Sequence, residues 1–166
     1  MDISIKRRLV MLVLSNAVIA IITLLVFYIG GYFSKQGMAW YATLAKPSIT
    51  PPGGVFSVAW TAIYLCLALC ASIVWRTFTH DWRWYSVIAI FAINVCLNML
   101  WTYLFFVKHL ALYALIDALA LFVSTWALII LIAPVSMVCA GLLFPYGLWL
   151  ILALFLNWQF MVINGL

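Results

Sequence analysis

Charge is what this sequence has least of. Asp and Glu together number three in 166 residues and Lys and Arg eight, so 7% of the chain is charged, against about 25% in an ordinary soluble domain. With 70% of its residues apolar, the chain cannot build a soluble surface of any extent. The basic residues Lys6, Arg7, Arg8, Lys35, Lys46, Arg76, Arg83 and Lys108 are scattered to the points where apolar runs end. That pattern anchors helix ends among lipid headgroups and argues against a nucleic-acid surface. Cysteine is scarce and placed unhelpfully for cross-linking. Cys66, Cys70, Cys96 and Cys139 all lie inside apolar runs, so neither a disulfide framework nor a zinc site is indicated. Cys66 and Cys70, at i and i+4, read as small apolar fillers. Catalytic signatures are missing too: there is no GxSxG, no HExxH, no phosphate loop and no GxGxxG. His80 and His109 fall at helix ends, where a structural role outweighs metal or haem ligation, and no metal site is assigned.

What the chain does have is long apolar runs. The length accommodates five spans of about 20 residues and little else, which makes residues 1–166 a single transmembrane domain. The first run covers residues 9–33. It is too long for a signal h-region and ends in Tyr28, Tyr32 and Phe33, so it reads as a retained helix. Residues 34–52 form the one long loop, rich in Pro, Lys, Ser and Thr. Trp40, Tyr41 and Leu44 give it an apolar face, and Pro47, Pro51 and Pro52 restrict its backbone. It is therefore expected to fold down as a lid carrying Trp40, Tyr41, Lys46, Pro51 and Pro52, with Thr50 as an N-cap for the second helix. Further spans follow at residues 53–75, 83–107, 110–132 and 137–163. With five spans, Lys6, Arg7, Arg8, Arg76 and Arg83 share one side of the membrane and Lys35, Lys46 and Lys108 the other. That bias places the N-terminus on the inner side.

Polar side chains inside hydrocarbon must find partners or line a cavity. On the third span Asn94, Asn98, Trp101 and Phe105 form one helical stripe. On the second, Ser57, Trp60 and Tyr64 do so, and on the fifth, Tyr146, Trp149, Ala153 and Asn157. The fourth adds Tyr113 and Asp117, the only acid within a span. An unpaired carboxylate there costs at least about 2.5 kcal/mol, so an Asn, Trp or Tyr partner is expected. Such stripes suit two roles: interhelical hydrogen bonds of roughly 0.6–2 kcal/mol that hold a bundle together, or the wall of a ligand cavity.

Four ordered segments, WYATLAKPSITPPGGVFSVAWTAIY from Trp40, LNMLWTYLFF from Leu97, Tyr113 to Asp117, and PYGLWLILALFLN from Pro145, resemble the TspO/MBR family, also called the tryptophan-rich sensory, translocator or peripheral-type benzodiazepine receptor family. The resemblance implies an all-α five-helix membrane bundle, usually a homodimer, whose cavity opens under the first loop. That cavity would bind porphyrins such as protoporphyrin IX or haem, or other hydrophobic small molecules, as ligands rather than obligatory cofactors. The positions matching the family's pocket are Trp60, Asn98, Trp149 and Ala153, with Tyr64, Trp101 and Tyr113 expected to line it. A receptor or carrier role is implied first. The alternatives are light-dependent porphyrin degradation, with Trp60 and Trp149 as the photochemical pair, and a sterol or lipid carrier. The cholesterol motif of animal members is lost here, since Leu156, Trp158 and Val162 stand at its defining positions.

Overall fold

The computed structural model describes residues 3–78 and 81–166, and the side chains of all of these except residues 3–5, 7 and 8. The expectations for His80 and for the Arg7 and Arg8 side chains fall outside the described residues. Among them the chain forms five helices: α1 (Ile3–Thr43), α2 (Gly53–Thr77), α3 (Trp82–Thr102), α4 (Ala111–Ile132) and α5 (Met137–Asn164). A π-helical turn, Tyr103–Val107, extends α3. Each of the five spans is long and apolar enough to cross a bilayer. The chain is an integral, multi-pass membrane protein.

The helix ends follow local chemistry. Asp81 caps α3, its carboxylate accepting from the backbone N–H of Arg83 at 3.0 Å and Trp84 at 3.1 Å. The Ser136 hydroxyl accepts from Cys139 N–H at the start of α5, and Gly165, with φ of 65°, ends that helix in the left-handed conformation. Pro52 precedes α2 with no side-chain cap, and the Thr50 hydroxyl has no partner, so Thr50 does not play the N-cap role expected of it.

The first helix also departs from expectation. Helical structure continues through residues 34–43, leaving only residues 44–52 as the loop. At 41 residues, α1 is about 60 Å long at 1.5 Å per residue, far more than hydrocarbon requires. The polar run Ser34, Lys35, Gln36 marks an exit from the bilayer, and a helix need not stop there.

Packed pairs are α1 with α2, α2 with α5, α5 with α4, α4 with α3, and α3 and its π-turn with α1. The five helices therefore close a ring in the order 1-2-5-4-3. One end is filled by an apolar cluster including Cys70, Val74, Val87, Leu128, Ile132 and Leu143. The other end is left open under the loop. There α1 approaches the π-turn closely: Gly37 is buried, and a Cβ built on it would overlap the Phe106 carbonyl.

Candidate functional site

The open end of the ring holds a cavity of about 690 Å³. Its wall is built from the stripes of α2, α3 and α5: Ser57, Trp60 and Tyr64; Asn98, Trp101 and Phe105; Trp149, Ala153 and Asn157. Trp60 and Trp149 stand 6.5 Å apart with ring planes at 81°, so they make a corner rather than two parallel walls. Phe56 meets Trp149 edge-on at 5.5 Å, and Trp101 stacks on Phe105 at 5.4 Å.

From the lining residues Tyr64 and Asn98 a directed hydrogen-bond chain runs into the bundle behind the cavity. Tyr64 donates its hydroxyl to Asn98 Oδ1 at 2.6 Å, and Asn98 Nδ2 donates to the Tyr146 hydroxyl at 3.4 Å. Tyr146 in turn donates to Asn94 Oδ1 at 3.4 Å, and Asn94 Nδ2 donates to Ser124 Oγ and Thr125 Oγ1. The two 3.4 Å links are long and weak, whereas the 2.6 Å link is strong. A second chain runs from Trp101 Nε1 to Asn157 Oδ1 at 3.0 Å and from Asn157 Nδ2 to the Ala111 carbonyl at 2.9 Å. The stripes thus both bridge helices and line a cavity. Asn94 and Tyr146 hold α3, α4 and α5 together, while Trp101 and Trp149 face the void. The Trp149 ring lines the cavity, while its Nε1 is buried with no hydrogen-bond partner.

The lid residues divide. Tyr41, Lys46, Pro51 and Pro52 line the mouth, but Tyr41 belongs to the last turns of α1 and not to a loop. Trp40, also helical, faces away from the cavity and stacks on His109 at 4.0 Å and 13°. His109 takes a φ of 57°, an uncommon conformation for a residue other than glycine, in the turn before α4. Lys46 Nζ lies 5.0 Å above the Tyr41 ring. Lys35 is exposed on α1 and is not part of the lining.

Tyr113 is the clear correction. It is 59% exposed on the outer surface and does not line the cavity. The inward face of α4 runs through Ala111, Ala114, Ala118 and Leu121, and Tyr113 sits one residue, or about 100°, off it. Asp117 is on that inward face and buried, but it too stands outside the lining. Its Oδ2 has no hydrogen-bond partner, so the expected Asn, Trp or Tyr contact is not made at that atom. At the end of α5, Leu156 is buried and lines the cavity while Trp158 and Val162 face outward, so the three do not share a face.

Periodicity missed α1. Phe27, Gly30, Gly31, Ser34 and Met38 contribute a full side of the cavity. Their spacing of three to four residues was a usable signal, and the small residues in it mark where α1 leaves room beside Tyr64.

A profile of the TspO/MBR family matches residues 17–163. The Tryptophan-rich protein TspO of Archaeoglobus fulgidus is 34% identical over 140 residues, covering 83% of this chain and 89% of that protein. The protein of the same name in Bacillus cereus is 29% identical, covering 90% of this chain and 97% of its own length. The Translocator protein of Homo sapiens is 30% identical over 79% of each chain.

Proposed function

This chain belongs to the TspO/MBR family, and from that premise we propose that it is a membrane receptor or carrier for porphyrins, taking protoporphyrin IX or haem into its aromatic cavity in a regulatory or transport role. The observation that carries this reading is the 690 Å³ aromatic cavity with a cation at its mouth, within the roughly 300–1,000 Å³ range of small-molecule sites. A porphyrin is a broad π-surface with propionates on one edge. The right-angled pair Trp60 and Trp149 suits it, one indole stacking on the ring and the other meeting its rim. Lys46 offers a charge-assisted bond to a propionate. Asn98 is engaged by Tyr64 and Tyr146, so its part is to fix the Tyr64 ring as much as to touch the ligand.

Titration of the purified chain with protoporphyrin IX, read by tryptophan fluorescence, tests the proposal. Saturable quenching is expected, and Trp60→Leu or Trp149→Leu should each weaken binding about tenfold, equivalent to about 1.4 kcal/mol. Absence of saturable quenching by the natural sequence would end this reading. The adjacency of Trp60 and Trp149 also favours a second one, light-dependent degradation of the bound ring. Product analysis after illumination separates the two: intact porphyrin speaks for binding alone, new ring-opened products for degradation.

A further inference from the structure

The loop over the cavity packs down through the buried Pro47 and through Leu44 against the Phe105 and Phe160 cluster, and one side chain from the helices hydrogen-bonds to its backbone. Asn164, in the last turn of α5, accepts from the backbone N–H of Ala45 through Oδ1 at 2.8 Å and donates from Nδ2 to the Ala45 carbonyl at 3.0 Å. One side-chain amide thus satisfies both backbone groups of a residue 119 positions away. A third bond, from Nδ2 to the Phe160 carbonyl at 2.9 Å, holds the amide in that orientation. Among the described residues, Asn164 is the only side chain outside residues 44–52 that hydrogen-bonds to their backbone. Next to Ala45, Lys46 and Pro47 line the mouth, and a turn closed by Thr50 N–H on the Pro47 carbonyl at 3.0 Å leads to Pro51 and Pro52. Asn164 itself does not line the cavity.

We propose that Asn164 is a latch: its amide pairing with Ala45 holds the loop over the cavity, and its release opens the mouth to ligand. The geometry suits reversible opening. Both bonds to Ala45 lie at an exposed site, where water can replace them and each contributes modestly. Ala45 lies two residues past the end of α1, so freeing it loosens the start of the loop and leaves the packing of Pro47 as the remaining hold on its centre. The latch rests on the cavity reading only in that something passes the mouth, and the closing experiment separates the two.

Hydrogen–deuterium exchange on the ligand-free full chain tests the latch without any ligand. Asn164→Leu removes both bonds, and Asn164→Asp keeps the acceptor while losing the donor. The hydrogen-bonded amides of the segment, Ala45 above all and then Leu44 and Thr50, should exchange on the order of tenfold faster in Asn164→Leu, and by less in Asn164→Asp, with the interiors of α2 to α5 unchanged. Unchanged exchange in that segment overturns the proposal. If Asn164→Leu accelerates exchange everywhere, its fold has loosened and Asn164→Asp decides: a local increase supports the latch and none refutes it. In stopped-flow mixing with protoporphyrin IX, association and dissociation should accelerate together, leaving the Kd within about threefold. Faster dissociation alone would make Asn164 a ligand contact, and unchanged rates would show that the loop is no barrier. Either result overturns the gate. Failure of the natural sequence to bind protoporphyrin IX would refute the porphyrin reading, while the exchange measurement still decides the latch.

Discussion

At the scale of single residues, Gly37 is where one methyl group should matter most, because a Cβ there overlaps backbone of the π-turn rather than a side chain that could swing away. Gly37→Ala should lower stability by about 1–3 kcal/mol through forced separation of α1 from the turn. Gly141→Ala meets nothing within 4 Å and gains helix propensity, so it should hold or raise the melting temperature. Thermal melts of the two purified variants check this, and equal behaviour would contradict the packing argument. The two tyrosines make a second pair. Tyr113→Phe should leave porphyrin affinity within about twofold, because the side chain faces outward. Tyr64→Phe removes the 2.6 Å bond to Asn98, leaving a buried acceptor unpaired at a cost of about 1–3 kcal/mol in stability. Titration and melting of both variants would expose an error if Tyr113 proved the more sensitive. Trp60, Tyr64, Asn98, Trp101, Trp149 and Ala153 lie on stripes or facing positions that the sequence shows, but the helical period alone left bundle contact and cavity wall open, and it was the family resemblance that singled these residues out from stripe neighbours such as Asn94 and Tyr146. Tyr113 was misplaced because a spacing of four to Asp117 says that two residues are near each other, not which way the helix turns them. Asn164 left no trace at all, since its partner is remote in the chain and is backbone.

At the scale of elements, apolar run length set the number of helices and most of their ends to within a few residues, because hydrocarbon thickness is a strong constraint. It set the end of α1 poorly, because polarity reports where a chain leaves the bilayer and not where its helix stops. The π-turn was invisible for a related reason: no residue in Tyr103–Val107 is a breaker, and the wider turn arises where α3 gives way to the junction before α4. The contact of Asn164 with Ala45 bears on topology. It puts the first loop and the end of α5 at the same end of the bundle, as an odd number of spans requires. Reporter fusions at the two termini should therefore appear on opposite faces, the N-terminus on the inner side with the larger share of basic residues. Both reporters on one face would contradict five spans.

At the scale of the whole molecule, the order 1-2-5-4-3 closes a ring that is solid at one end and hollow at the other. Hydropathy carries no information on which helices touch, so the ring order and the contribution of α1 to the cavity could not be read from the sequence. The ring does decide what kind of chemistry the cavity offers. Among the described residues no cysteine or histidine lines it: Cys66, Cys70, Cys96 and Cys139 lie elsewhere, and His109 is stacked against Trp40. A tetrapyrrole held there would be recognised by its faces and its acidic edge, and the lining groups able to reach iron are the Met38 thioether and the Tyr41 and Tyr64 hydroxyls, the last already donated to Asn98. The central claim is that the cavity reads the flat ring and not the metal, and the most direct test is an equilibrium titration of the natural sequence with metal-free protoporphyrin IX and with haem side by side. The account predicts that both quench tryptophan fluorescence with Kd values within about tenfold, or about 1.4 kcal/mol, of each other. A far tighter affinity for haem, lost on replacing Met38, a lining tyrosine, or one cysteine or histidine, would reveal axial ligation and contradict it.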